Sequence, residues 1–396
     1  MVPTKRAAYV PELDGVRGLA IAGVMALHFI GPLTPTNVFE RGLNKASSYG
    51  VWGVDLFFVL SGFLITGILV QAKGHSGYFK NFYVRRVLRI FPLYYGVLVL
   101  LFVLAPVGLL GRVDPELLEL RRLQPWLWTY LTNVYIGGQQ TFSIPYLSHF
   151  WSLAVEEHFY LVWPIVILLL NRRAAMRSCI ALVLVALAAR IWFSAVNPSL
   201  LYANVLTPCR LDSLCIGGWL ALSASGEGAL SRQRATTWLA LSASVVIALS
   251  VGHVISTRMD VLVLSLRTTM LAVFFGSFIY LVAHPSGVPP VRAALRASWL
   301  RSLGKYSYGL YVYHGLVAYA MHRFAVEAAV TRVVGIHLLA GTLIVAAGVA
   351  VSAVLAVASY ELFEVRFLAL KHRFEYETHR PAERQPARRT TAAVLT

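Results

Sequence analysis

His28 closes an apolar stretch, LDGVRGLAIAGVMALHF, in which Asp14 and Arg17 are the other polar residues. If the stretch is helical, Arg17 and His28 fall about 20° apart around the axis, with Asp14 about 40° to the other side of His28. All three then share one face. Arg17 and His28 lie about 16 Å apart along that face. A guanidinium at one end can hold a phosphate, and an imidazole at the other can exchange a proton near neutral pH. This spacing suits an elongated anionic ligand, and the pantetheine arm of coenzyme A has comparable length. Asp14 and Arg17 read equally well as a helix cap and anchor. An imidazole inside a lipid-spanning helix is costly, so His28 reads as functional.

Other polar residues recur inside apolar runs. In FYVRRVLRIFPLYY, Arg86 and Arg89 are three apart and share a face, with Arg85 preceding them. They form a phosphate clamp or a positive anchor at a membrane boundary. Asp55 interrupts YGVWGVDLFFVLSGFLITG at a depth close to that of His28. It either orients the imidazole or serves as a structural carboxylate. In YLSHFWSLAVEEHFYLVWP, Glu156 and Glu157 point about 100° apart. One is expected to face a site and the other to pair with a neighbouring helix, with Arg210 as the candidate partner. His149 and Ser152 sit above them, and His158 follows. Arg210 and Asp212 in TPCRLDSLCIGG read as a local ion pair. In LGKYSYGLYVYHG, Ser307 precedes Tyr308, Tyr311 and His314, which make a slanted polar stripe, either lining a channel for a polar acceptor or bonding helix to helix. Glu361 and Glu364 in SYELFEVRF read as structural.

The elements that position these residues are transmembrane helices. The 396 residues are 58% hydrophobic and 13% charged, with mean hydropathy +0.66. Soluble domains carry about 25% charged residues. Ten apolar runs are long enough to span a bilayer, near 15–31, 50–71, 90–110, 148–170, 178–195, 208–225, 236–252, 261–283, 305–322 and 334–358. Most Lys and Arg residues fall on one side of these runs, which places both termini in the cytoplasm. The net charge of +17 is thereby explained without nucleic acid. Cys179, Cys209 and Cys215 have no metal or CxxC spacing and read as packing residues. No metal site is expected. The first run reads as a retained helix, not a cleaved signal. Trp126, Trp128, Tyr130, Tyr135 and Tyr146 crowd the outer segment 111–147, as at a membrane interface or on a sugar-binding surface. The expected organisation is one transmembrane domain over 1–370 and a disordered, basic cytoplasmic tail over 371–396.

Taken in order, LDGVRGLA…LHF, GVDLFFVLSGFLI, RRVLRIFPLYY, HFWSLAVEEHFYLVWP, RLDSLCIGG, SYGLYVYH and SYELFE resemble the acyltransferase 3 family of bacterial integral membrane O-acyltransferases. The resemblance covers roughly residues 10–370. It implies a ten-helix core in the cytoplasmic (inner) membrane. The donor would be acyl-CoA, most commonly acetyl-CoA, and the acceptor a hydroxyl of an envelope glycan or lipid-linked sugar. The family's basic residue, ten residues and histidine correspond to Arg17 and His28. Its arginine motif corresponds to Arg86 and Arg89, and its Trp-Ser-Leu motif with paired acids to Trp151, Ser152, Glu156 and Glu157. Two departures are His158, where Gln is common, and Arg366, where Pro is common. Some relatives carry a fused extracytoplasmic domain that receives the acyl group, and none is expected here.

The expected mechanism makes His28 the base, oriented by Asp55 or Glu156. Arg17, Arg86 and Arg89 hold donor phosphates. Asp14, Ser152, Glu157, Tyr308, Tyr311 and His314 are expected to contact substrate. Direct transfer and an acyl-histidine intermediate both remain open, as does the oligomeric state. The rival classes are a glycan or lipid flippase without chemistry, which would release no coenzyme A, and a scaffolding subunit.

Overall fold

The computed structural model of the chain describes residues 9–104, 116, 120–196, 201–224, 230–255, 260–284 and 288–376. The expected tail lies outside the described residues from 377 onward. Among the described residues there is no strand, and nine helices are long and apolar enough to cross a membrane. The chain is an all-α membrane protein.

The principal helices are α1 (Pro11–Ile30), α2 (Trp52–Ala72), α3 (Tyr78–Val99), α4 (Trp151–Leu169), α5 (Arg172–Val196), α6 (Thr207–Ser223), α7 (Arg232–Ile255), α8 (Asp260–Ala283), α9 (Ser307–Arg323) and α10 (His337–Ser359). They follow the ten expected runs in order, but nine spans, not ten, meet the length and hydropathy needed to cross a membrane among the described residues. The expected run that falls short is α9, at 17 residues. It carries the tyrosine–histidine stripe.

One end of the bundle gathers the basic connections. Glu12, in the first turn of α1, is paired with Arg292 at 2.7 Å and Arg296 at 2.8 Å. Lys73, just past α2, donates to the Ile167 and Leu170 carbonyls at the end of α4, at 2.8 and 2.7 Å. Arg172 donates to the Leu222 carbonyl at the end of α6 at 2.7 Å. Cations there satisfy helix C-terminal carbonyls, as the helix dipole favours.

The third helix begins earlier than expected. The sequence places it near 90–110, whereas α3 starts at Tyr78. The run FYVRRVLR looks too charged to span, yet its arginines turn into the bundle and not toward lipid, so the helix continues through them. Pro164 interrupts α4. Near it, the Tyr83 and Tyr78 hydroxyls of α3 donate to the Leu161 and Pro164 carbonyls at 2.8 and 2.9 Å. These two bonds tie α3 to the stretch of α4 around the proline.

Helices α2 and α6 pack backbone to backbone. A Cβ on Gly62 would overlap the Leu214 carbonyl, and one on Gly217 would overlap the Val59 carbonyl. Small residues permit this approach between membrane helices. Beside the contact lie two buried ion pairs. Arg190 of α5 meets Asp212 of α6 at 2.7 Å, and Arg210 of α6 meets Asp55 of α2 at 3.0 Å. The expected Arg210–Asp212 pairing is therefore replaced by two interhelical pairs. All three cysteines are free and buried.

The aromatic segment before α4 packs inward. Tyr130 stacks on Tyr94 at 4.1 Å, and Trp128 stacks on Tyr95 at 5.5 Å. Tyr94 and Tyr95 also donate to the Leu127 and Trp128 carbonyls, at 2.7 and 3.1 Å. Trp128 and Tyr130 thus pack against Tyr94 and Tyr95 in the last turns of α3.

Candidate active site

A cavity of about 290 Å³ opens between α1, α2, α3, α4, α9 and the turn Leu370–Phe374. Its lining on α2 runs from Val54 to Ile68, about 21 Å at 1.5 Å per residue. Five cations face it: Arg17, Arg85, Arg86, Arg89 and Lys371. Glu156 and Glu157 are the acids in its wall, and Ser152, Tyr308 and Tyr311 also line it.

These cations are sparsely partnered. Arg17 is paired with Asp14 at 2.5 Å. Asp14 does not line the cavity and instead holds the guanidinium in place. The Arg86 guanidinium lies over the Phe82 and Tyr160 rings, at 5.9 and 5.4 Å. Neither Arg86 nor Arg89 has a hydrogen-bond or ion-pair partner among the described residues. Tyr160 donates to Glu156 at 3.0 Å and touches Ser61. One oxygen of Glu157 is buried without a partner. The Tyr308 hydroxyl is engaged by the Ile90 carbonyl at 2.7 Å.

The end of the cavity away from the basic connections is walled by the Ser152 and Tyr311 hydroxyls, with imidazoles packed behind them. Ser152 Oγ and the Tyr311 hydroxyl are 2.5 Å apart, and Tyr311 donates to the His149 carbonyl at 2.9 Å. The rings of His149 and Tyr311 are 5.6 Å apart, His149 and His314 5.1 Å, and His314 and His28 4.9 Å. Beyond them a second cavity, of about 210 Å³, is lined by His28, Phe29, Leu33, His322 and Glu327 among others. His314 therefore stands between Tyr311 of the cationic chamber, 5.4 Å away, and His28 of the second chamber, and the histidines form a partition between the two.

Backbone contacts set the ring nitrogens. His28 Nδ1 lies 2.9 Å from the Val24 carbonyl, and His314 Nδ1 lies 3.0 Å from the Leu310 carbonyl. A carbonyl only accepts, so each Nδ1 carries the proton and each neutral ring keeps its Nε2 lone pair. The Nε2 of His314 is buried without any partner. His149 is held by its other nitrogen, Nε2, at 3.1 Å from the Val312 carbonyl.

Several expectations change. Asp55 does not orient His28, because its carboxylate is taken by Arg210. Glu156 is not the orienting group either; it lines the cationic cavity with Tyr160. The backbone carbonyl of Val24 fills that role. Arg210 is not a partner of the glutamates. Its guanidinium lies over Phe58 and Trp151, at 5.4 and 5.6 Å. Arg17 and His28 face two different chambers, not one. Sequence reasoning gave His149 no role and put Lys371 in the tail. A histidine in an apolar run was a visible signal for His149. Nothing local marked Lys371. Among the described residues no group of three His, Cys, Asp or Glu side chains is placed to hold a metal.

A multi-pass bundle enclosing a cation-lined chamber and a histidine partition is the setting in which the family relationship emerges. The chain belongs to the acyltransferase 3 family, whose model, described as an acyltransferase domain, matches residues 10–361. Among curated proteins it is similar to the peptidoglycan O-acetyltransferase OatA of Listeria monocytogenes, 32% identical over 216 residues, covering 51% of this chain and 31% of the relative. It is also similar to the Bacillus subtilis protein named "Putative peptidoglycan O-acetyltransferase YrhL", 32% identical over 224 residues, covering 52% of this chain and 31% of the relative. A third relative is the Staphylococcus aureus (strain COL) protein named "Putative O-acetyltransferase SACOL0978", 30% identical over 230 residues, covering 55% of this chain and 35% of the relative. The chain thus spans about a third of the length of the curated relatives it matches. No solved structure matches it.

Proposed function

We propose that this protein is a membrane O-acyltransferase that takes an acyl group, acetyl in the simplest case, from cytoplasmic acyl-CoA and passes it to a hydroxyl of a cell-envelope glycan. The observation that carries this reading is the histidine partition. It has unshared Nε2 lone pairs on His28 and His314, a cationic chamber on one side and a second chamber on the other. A flippase needs a path but has no use for a preset imidazole tautomer between two chambers. The names of the relatives favour an acetyl group and a glycan hydroxyl.

In this mechanism the basic end of the bundle faces the cytoplasm, as the positive-inside rule requires. In a bacterial cell that membrane is the inner one. Arg86 and Arg89 take the donor's pyrophosphate, since guanidinium pairs bidentately with phosphate oxygens. Arg17, steadied by Asp14, adds positive charge to the same chamber. The pantetheine arm runs along α2 past Ser152 and Tyr311, and in the transfer step its thioester end crosses the histidine layer to reach His28. The acceptor enters the second chamber with a hydroxyl at His28 Nε2. That nitrogen takes the hydroxyl proton as the oxygen attacks the thioester carbonyl. The resulting imidazolium is stabilised at Nδ1 by the Val24 carbonyl, with His314 beside it. The C–S bond then breaks. The coenzyme A thiolate leaves and recovers the proton from His28, which restores the neutral ring.

The test is turnover. Purified protein in lipid vesicles, given acetyl-CoA and a hydroxyl acceptor, should release free coenzyme A and yield an acceptor one acetyl group heavier. Release of no coenzyme A with every acceptor tried, despite measurable donor binding, would favour the flippase.

The arginine clamp gives a separate expectation. Arg86→Ala and Arg89→Ala each remove a charge-assisted phosphate contact, worth about 1.5–3 kcal/mol. Donor Kd should rise about 10–100-fold in each variant, with a weaker dependence of affinity on salt than in the wild type. Calorimetric titration with coenzyme A measures both.

A further inference from the structure

The turn that follows α10 supplies the cationic chamber with a charge that nothing in the fold consumes. Residues Leu370–Phe374 form a 3-10 helix. The backbone there is strapped to the first turns of α3. Arg85 donates to the Phe374 carbonyl at 3.3 Å, and Asn81 donates to the Glu375 carbonyl at 3.1 Å. The Tyr376 ring meets His75 at 6.2 Å. Lys371 rides on this strap, partly buried, and lines the chamber. Like Arg86 and Arg89, it has no hydrogen-bond or ion-pair partner among the described residues.

Depth along the chamber distinguishes these cations. Arg85 and Arg89 are one helical turn apart on α3, so Arg85 lies about 6 Å nearer the basic end. The strap bonds to Arg85 through Phe374, and Lys371, three residues before it, stands among Arg89, Arg86 and Arg85. Ser152 and Tyr311, beside the histidines, mark the inner end. A thioester donor that reaches the inner end with its pantetheine arm lays its pyrophosphate further out, level with Arg86 and Arg89. Its adenosine portion then lies outermost. The group of that portion with the chemistry to engage unpaired cations is the ribose 3′-phosphate, a monoester of charge about −1.5 to −2 at neutral pH. Lysine, a compact point charge, needs no fixed approach direction to meet it.

We propose that Lys371, together with Arg85, binds the ribose 3′-phosphate and makes the chamber selective for coenzyme A thioesters over donors that lack this group. The assignment rests on the acyl-CoA reading above and deepens it. Donors carrying only a phosphopantetheine arm would leave the outer cations unmatched and would bind less well.

The experiment compares coenzyme A with dephospho-coenzyme A, which differ only in the 3′-phosphate, by calorimetric titration of the purified full-length protein. Wild type should bind coenzyme A about tenfold or more tightly, the equivalent of one charged hydrogen bond. Lys371→Ala should weaken coenzyme A binding by about tenfold and leave dephospho-coenzyme A within about twofold, so that the preference collapses. Lys371→Arg should retain most of the preference. Equal wild-type affinity for the two ligands overturns the proposal while leaving the donor reading intact. So does a Lys371→Ala variant that weakens both ligands alike, since that would mean a pyrophosphate contact or a displaced strap. Wild-type protein that binds neither ligand overturns the donor reading itself, and the proposal with it.

Discussion

Substituting alanine for His28 should lower acyl transfer by about 10²–10⁴-fold, the usual worth of a positioned general base, while donor affinity stays within about twofold. The separation of effects follows from the geometry. His28 lines the second chamber and not the cationic one, so its loss removes no phosphate contact. Its ring is fixed by a carbonyl of its own helix, so its loss strands no hydrogen-bond partner on a neighbouring helix and removes only the ring contact with His314. A structural histidine would behave otherwise, with stability and donor binding falling together. His28→Gln should not rescue, because an amide cannot take the acceptor's proton. Measuring kcat for coenzyme A release, Kd for the donor and the thermal midpoint on one preparation separates these cases. Full activity in His28→Ala would remove the base from the mechanism.

Helical arithmetic reached much of this arrangement. The i,i+3 spacing placed Arg86 and Arg89 together on α3, whereas the 100° rotation that put Arg17 and His28 on one face of α1 did not reveal that they open on two chambers. The high cost of polar groups in hydrocarbon singled out Asp55, Glu156, Glu157, Tyr311 and His314. Periodicity says which way a side chain points along its own helix and nothing about which helix stands opposite. Asp55 therefore looked like a partner for His28 because their depths agreed, whereas α6 stands nearer and presents Arg210. Lys371 shows the same limit. Its surroundings, LKHRFEY, read as the beginning of a polar tail, and only the return of the chain across α3 makes it part of the chamber. The misplaced start of α3 has a related origin. Arginines read as a membrane boundary when their destination is unknown, and as cavity lining once it is.

Asp55→Ala should destabilise the fold by about 3–5 kcal/mol, because it leaves the Arg210 guanidinium buried and uncompensated. Both side chains are close to 5% exposed, at 6% and 5%, and sit 3.0 Å apart in the α2–α6 interface. That interface admits little adjustment, since Gly62 and Gly217 already bring the two backbones into contact. Arg210→Ala should cost a similar amount by stranding the carboxylate. Replacing both residues, Asp55→Leu with Arg210→Met, removes the two charges at once and should recover most of the loss, as apolar substitution of a buried pair commonly does. Inactivation half-life at a fixed temperature, in one detergent, ranks the three variants. Activity of the double variant then decides what Asp55 is for. If the pair only fastens α2 to α6, turnover returns with stability. A double variant that is stable but remains depressed about 100-fold or more, on the scale of a lost proton-transfer group, would return Asp55 to the chemistry. The ion pair in the structure would then be one of two positions that the carboxylate adopts.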